Sequence, residues 1–115
     1  MNISYEEIGQ VLVTCPAEKS VVRGQVVKMG ANGLVAPCAN GERICGLAVS
    51  VAEDGCAAVQ MRGFAQIPCT DSGVKPGFVK LVSNGTGGLR KASSEGACTE
   101  ALVMSNDGES IAVCL

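Results

Sequence analysis

Seven cysteines are the most reactive side chains of this 115-residue sequence, which contains no histidine. No two cysteines form a Cys-x-x-Cys pair, and without histidine the usual zinc-binding spacings are missing. An odd number of cysteines without a secretion signal argues against a disulfide framework. We therefore predict no metal and no other cofactor, and we expect most of the thiols to be reduced and buried as small hydrophobic groups. The cysteines are Cys15, Cys38, Cys45, Cys56, Cys69, Cys98 and Cys114.

The carboxylate of Asp71 stands in an Asp-Ser-Gly tripeptide, which resembles the motif of retroviral-type aspartic proteases. In such sites two carboxylates from symmetry mates share one proton. The second apolar motif that should follow near the C-terminus is missing here. The alternative is a turn in which Asp71 accepts a local backbone hydrogen bond.

Lys28, in Val-Lys-Met, resembles the lysine that carries biotin or lipoate in swinging-arm domains. Those lysines occupy a hairpin tip, whereas the tip signal here is Asn32-Gly33, so Lys28 is predicted to lie within a strand and face solvent. The glycine-rich run at 84–88 lacks a following Lys-Ser/Thr and predicts a hairpin loop rather than a phosphate site. No Ser-His or Cys-His pair can form. We predict that the protein is not an enzyme.

The sequence pattern predicts that the candidate residues are positioned by β-strands. Short β-branched runs alternate with Asn-Gly and Asp-Gly dipeptides, which favour tight reversals of the chain. LAVSV and AAVQM flank Asp54-Gly55, and ALVM and SIAVCL flank Asp107-Gly108, so both are predicted hairpins. The pattern predicts a single all-β domain over residues 1–115, a small compact β-barrel or β-clip-like sandwich, with at least seven strands and no long helix.

The sequence also repeats itself at a spacing of 53 residues. Gly24 and Gly77 are separated by this distance, and so are Asp54-Gly55 and Asp107-Gly108. The return strand of the second hairpin fits better with one further residue, which predicts one bulge or one extra turn residue. The sequence thus favours two related β units, at about 22–62 and 75–115.

Composition excludes several classes of function. The net charge is −2 and the basic residues are scattered, which argues against a nucleic-acid surface. No run approaches the roughly 20 apolar residues of a membrane span. The acidic start of the chain is unlike a signal peptide, so we expect a protein made and kept in the cytoplasm of its cell.

One resemblance covers about residues 9–68. Gly9, the stretches 13–17 and 23–26, Gly46 to Ala48, Asp54-Gly55 and the stretch 59–68 are similar to the pattern of small capsid decoration (cement, or head-stabilising) proteins of tailed bacteriophages. That pattern runs from a strand ending in T-x-P-A, through a Gly-Gln strand entry and a Gly-Leu-Ala strand, to a strand that ends in Ile-Pro. The high cysteine content and longer central loops depart from it.

The resemblance implies a structural protein of the virion, made in the bacterial host. Such proteins are β-rich, are commonly trimeric, and bind the major capsid protein on the outer surface of the head. It therefore implies a homo-oligomer, with a trimer as the expected number. A trimer that touches several coat subunits would resist shell expansion through many weak contacts.

A small-molecule or carbohydrate-binding β-clip module is the alternative function. Such modules share the glycine-containing strand entry, but their pockets usually contain aromatic side chains. This chain has two phenylalanines, one tyrosine and no tryptophan.

Candidate interface residues are the apolar side chains of the N-terminal segment, which is not an obvious strand, and the few aromatic side chains of the sequence. Residues 1–8 are expected to form a flexible N-terminal arm that becomes ordered on contact with a neighbour. The candidates are Ile3, Tyr5, Ile8, Phe64 and Phe78.

Overall fold

A computed structural model describes residues 10–93 and 96–115, and this part of the chain contains ten β-strands and no helix. The all-β prediction is confirmed. The strands are β1 (Val11–Pro16), β2 (Val26–Met29), β3 (Val35–Pro37), β4 (Gly46–Val51), β5 (Cys56–Arg62), β6 (Phe64–Pro68), β7 (Gly77–Ser83), β8 (Leu89–Lys91), β9 (Thr99–Asn106) and β10 (Ser110–Cys114).

The glycine-containing dipeptides turn the chain where the sequence predicts. The glycine of each one has a positive φ, a conformation that residues with a Cβ rarely adopt. Both predicted Asp-Gly hairpins are confirmed, β4 with β5 and β9 with β10. The glycines concerned are Gly33, Gly41, Gly55, Gly85 and Gly108.

The ten strands form two antiparallel sheets of five strands with the same topology. The order is β1-β5-β4-β2-β3 in the first sheet and β6-β10-β9-β7-β8 in the second. Adding five to each strand number of the first order gives the second. We call β1 to β5 the first unit and β6 to β10 the second unit.

The units begin earlier than the sequence repeat indicates, because each includes a first strand that the predicted boundaries left out. Val11 and Phe64, which begin β1 and β6, are 53 residues apart. The extra residue of the second hairpin is Glu109, which stands between Gly108 and β10. The repeat also includes a turn after the first strand of each unit, closed by N–H···O bonds from Val21 to Glu18 (3.0 Å) and from Val74 to Asp71 (3.2 Å).

Two hydrophobic clusters form the core, and they are arranged asymmetrically. The smaller cluster belongs to the first unit alone and includes Val27, Ala48 and Val59. The larger cluster fills the second unit, and it also receives side chains from the first unit, among them Val26 and Leu47. Because side chains alternate along a strand, Val26 and Val27 point to opposite faces of the first sheet. The side of each sheet that covers the cluster of its own unit is called the inner side, and the opposite side is called the outer face. The outer face of the first sheet thus packs into the second unit.

Backbone hydrogen bonds join the units beside this packing. The loop between β3 and β4 reaches the end of β7, where Gly41 N–H donates to the Ser83 carbonyl (2.8 Å) and Ser83 N–H donates to the Glu42 carbonyl (2.9 Å). Val26 N–H donates to the Gly87 carbonyl at 3.0 Å. The contact between the units therefore combines apolar burial with satisfied backbone groups.

The sheets are not closed into a barrel, so the barrel alternative is wrong and the two-sheet arrangement forms instead. In the first sheet only one isolated bridge, between Ala17 and Val35, links the ends of the order across the curled sheet. Five strands with a single bridge leave β1 and β3 as edges over most of their length.

Candidate interaction surface

Asp71 occupies a turn, and its carboxylate binds backbone groups. Its Oδ1 accepts the N–H of Gly73 (2.8 Å) and its Oδ2 accepts the N–H of Lys91 (3.0 Å). These two bonds, that from Lys91 first, hold the pKa of the Asp71 carboxyl below its usual value. Asp71 thus ties the turn after β6 to the edge strand β8, as the alternative interpretation of the tripeptide predicts.

Replacing Asp71 by alanine should lower the free energy of unfolding by about 1 to 2 kcal/mol, because two charge-assisted bonds to the backbone are lost. The lowered pKa means that the carboxylate stabilises the fold fully above the unfolded pKa of about 3.9, and that this contribution disappears as the pH falls through the folded pKa. Urea unfolding at pH 7 and at decreasing pH measures both effects.

Glu18 is the matched control, because it holds the equivalent place in the first unit but makes its link through the backbone, from its N–H to the Val35 carbonyl at 2.9 Å. The Glu18→Ala variant should keep the stability of the parent within about 0.5 kcal/mol. Equal losses in the two variants would contradict a specific role for the Asp71 carboxylate.

Lys28 lies within β2, and its ammonium group is bound by a carboxylate of the same unit. Its Nζ is 2.8 Å from Oε1 and 2.7 Å from Oε2 of Glu42, and Glu42 Oε1 also accepts the Ala39 N–H at 2.7 Å. The mutual hydrogen bond raises the pKa of Lys28 and lowers that of Glu42. The lysine therefore fixes the β3–β4 loop that contacts the second unit, and it does not stand at a hairpin tip.

All seven cysteines are free thiols, but the prediction that most are buried is wrong. Cys15, Cys38 and Cys69 are buried, whereas the other four are half-buried. The half-buried thiols include Cys56 at the start of a strand and Cys114 on an outer sheet face, where packing is incomplete. Burial, and secondarily the Glu42 carboxylate, raises the pKa of the Cys38 thiol to about 11.

Thiol titration should separate these two groups. At pH 8 a thiol with a pKa near 11 is only about one part in a thousand thiolate, and thiolate is the reacting form. Because Cys15, Cys38 and Cys69 are buried, we expect these three to react slowly with a disulfide reagent in native buffer, while all seven cysteines react promptly in denaturant. Rapid reaction of all seven in native buffer, read by mass spectrometry of the labelled peptides, would contradict this placement.

Of the five candidate interface residues, the structure describes two and brings them into one row. Ile3, Tyr5 and Ile8 lie outside the described residues. Strand pairing places Phe64, Cys114, Leu102 and Phe78 directly opposite one another across β6, β10, β9 and β7. Directly paired residues project to the same side of a sheet. We call these four residues the aromatic row.

The aromatic row lies on the outer face of the second sheet and is incompletely covered. Phe78 is 76% exposed, and the other three side chains are half-buried. Neighbouring strand residues of the opposite face, such as Val103 and Val113, belong to the core. A large aromatic side chain left in water forgoes about 1.5 to 3 kcal/mol of burial free energy, so its exposure on a regular sheet marks a candidate contact surface.

Basic side chains surround the exposed end of the row. Lys75, Lys80 and Lys91 lie around Phe78 together with Glu100. Lys80 and Glu100 are paired across β7 and β9. The surroundings of Phe78 therefore carry an excess of positive charge, which favours a partner with acidic groups beside an apolar patch.

A second apolar surface, which the sequence analysis did not single out, lies on edge strand β1. Val11, Leu12 and Val13 are 47%, 50% and 41% exposed, and no charged residue occurs in the strand. Proteins usually protect exposed edges with charges, proline or short length. The uncharged run VLVT is the signal that could have indicated this surface, but only the sheet order shows that it lies at an edge.

A groove of about 840 Å³ lies between the two units. Its lining combines apolar side chains, including Met29 and Met61, with charged ones, including Lys28, Arg43 and Arg62. No aromatic residue lines it among the described residues.

The described residues contain no group of three or more histidine, cysteine or acidic side chains placed to hold a metal ion. Within the same part of the chain, no helix is long and apolar enough to cross a membrane. A scan against models of known protein families finds no match, and no curated protein matches the sequence.

Proposed function

We propose that the protein decorates the head of a tailed bacteriophage, where it binds the major capsid protein on the outer surface of the shell and stabilises it as a homotrimer. The observation that carries this proposal is the large apolar area left uncovered on regular β-structure, on the aromatic row and on β1. Exposed apolar surfaces of this kind are typical of proteins that function through contacts with other proteins. The resemblance of residues 9–68 to decoration proteins supplies the identity of the partner.

Stabilisation follows from multivalency. One copy that contacts two coat subunits resists their separation only weakly, but linked copies must all release before the shell can expand. The contact needs no chemical step, and the virion surface would be its place of action after synthesis in the host.

Co-sedimentation tests the proposal. The major capsid protein of a candidate tailed phage is assembled into expanded shells, and the purified protein is added at increasing concentration. We expect saturable sedimentation with shells and a higher temperature of shell disruption. No sedimentation with expanded shells would defeat the proposal.

The inter-unit groove favours one second candidate, a binding site for a small polar molecule such as a carbohydrate. Lys28, Arg43 and Arg62 supply polar groups at its wall. Chemical-shift changes at these residues on addition of a panel of sugars would support this function. No chemical-shift change with any sugar would contradict it and favour the structural role.

A further inference from the structure

We propose that the aromatic row is the surface on which the first unit of a second copy of this chain docks. The proposal specifies the self-association that the proposed function includes, but it does not depend on binding to a shell. It begins from the asymmetric way in which the two units of one chain pack.

The row has an exact counterpart in the first sheet. Strand pairing places Leu12, Gln60, Leu47 and Val26 opposite one another across β1, β5, β4 and β2, the four strands that correspond to those of the aromatic row. Val26 and Leu47 of this counterpart are buried within the core of the second unit. The outer face of the first sheet is thus already an interface, whereas Phe78 on the same face of the second sheet is 76% exposed.

The internal contact is heterologous, since an outer face of one unit meets the inner side of the other. The inner side of the first unit is filled by its own cluster, and Val51, which is 39% exposed, stands at the end of β4 beside that cluster. Among the described residues, six of the seven most exposed large hydrophobic side chains lie in the first unit, and the seventh is Phe78. Docking Phe78 beside Val51 therefore covers an exposed apolar side chain in each copy.

Charge favours the same arrangement. A contact of two aromatic rows about a two-fold axis would oppose the lysines around Phe78 to their own copies, and like charges in contact are unfavourable. In the first unit, exposed Val51 ends β4 and is followed by the acidic turn that contains Glu53 and Asp54. This corner presents an apolar side chain beside two carboxylates, which suits the basic surroundings of Phe78.

The geometry also places Val51 on the correct side of the sheet. Val51 is paired with Ala57, and Ala57 with Cys15, in one row across β4, β5 and β1. Ala57 and Cys15 belong to the inner cluster of the first unit, so Val51 lies on the same, inner side. Repeated contacts of this kind close into a ring when the rotation between copies permits, and a ring of three is the trimer of the proposed function.

The test uses full-length variants in sedimentation velocity at tens of micromolar. Phe78→Glu should weaken self-association about tenfold or more, because it removes the apolar ring and opposes a carboxylate to Glu53 and Asp54 of the second copy. Val51→Lys should weaken it similarly, because it opposes a cation to the lysines around Phe78. Both residues are exposed, so the thermal unfolding of each variant should match the parent, and Phe78→Ala provides a milder variant of the same site.

Mixing the two charged variants distinguishes a heterologous contact from an isologous one. Each variant keeps one intact surface, so the Phe78→Glu chain should offer its first unit to the aromatic row of the Val51→Lys chain and form a two-chain species that neither forms alone. The matched control is Leu12→Glu, an equally drastic change at an exposed aliphatic residue on β1, which should leave self-association unchanged.

Several results would overturn the inference: a monomeric parent protein, normal association of Phe78→Glu or of Val51→Lys, no complementation on mixing, or loss of association in Leu12→Glu alone. If Phe78→Glu self-associates normally but no longer sediments with shells, the aromatic row contacts the coat protein and not a second copy. A parent that associates as described but does not bind shells would leave this inference standing and defeat the decoration function.

Discussion

Replacing Leu47 by alanine should lower the free energy of unfolding by about 2 to 5 kcal/mol, as expected for a buried leucine whose cavity cannot collapse completely. Leu47 stands on β4 of the first unit, yet its side chain is part of the cluster that fills the second unit. The substitution removes apolar contact from the seam between the units, so both units should lose stability together. Denaturant unfolding followed by circular dichroism measures the loss of stability.

Leu12 provides the matched control, since it lies in the same row of the first sheet and differs from Leu47 mainly in burial. Leu12 is 50% exposed, whereas Leu47 is buried. The Leu12→Ala variant should change stability by no more than about 0.5 kcal/mol. If both variants lose the same amount, the shared cluster is not what joins the units.

Hydrogen exchange provides a second measurement on the Leu47→Ala variant, because it shows whether the two units unfold together. If Val26 and Leu47 make the second unit dependent on the first, backbone amides of Val103 and Val113 should lose protection from hydrogen exchange in Leu47→Ala along with those of the first unit. Loss of protection confined to β4 and its neighbours would indicate two units that unfold separately.

The repeat shows which features of the fold are readable from local sequence. Turns at Asn32-Gly33 and Asp54-Gly55 are predictable because a positive φ constrains the residue type at one position. The strand order is not, because the pairing of β1 with β5 joins residues 40 or more positions apart, and no local pattern encodes it. The predicted repeat units therefore found the hairpins and missed β1 and β6.

The sequence predicted individual residues of the candidate surface but not that they form one continuous row. Phe64 and Phe78 were singled out because large aromatic side chains are scarce, but only strand register shows that Cys114 and Leu102 connect them. The sequence analysis did not predict the exposure of Val11 to Val13, because these three residues form an uninterrupted apolar run. An uninterrupted apolar strand usually predicts burial on both faces, and β1 lies at an edge instead.

Deleting residues 1–8 should leave the fold intact and weaken binding to shells by a large factor. The first described strand, β1, begins at Val11, so the deletion removes no residue of a described strand. The segment carries Ile3, Tyr5 and Ile8, which can bury apolar surface on a neighbouring protein. If each arm contributes a net 1.4 kcal/mol, or about tenfold, three linked arms change the affinity of a trimer about a thousandfold.

Two full-length variants separate the apolar side chains from the charge of the segment. Serine at positions 3, 5 and 8 should reproduce the loss of co-sedimentation, because it removes the apolar groups and keeps the chain length. Glutamine at Glu6 and Glu7 should leave binding within a few-fold of the parent, because both carboxylates are replaced by groups of similar size. Unchanged sedimentation of the deletion variant would exclude a role for the arm. A lowered unfolding temperature in that variant would instead place the segment in the fold, and the apolar surface on β1 would then be the place to look for its contacts.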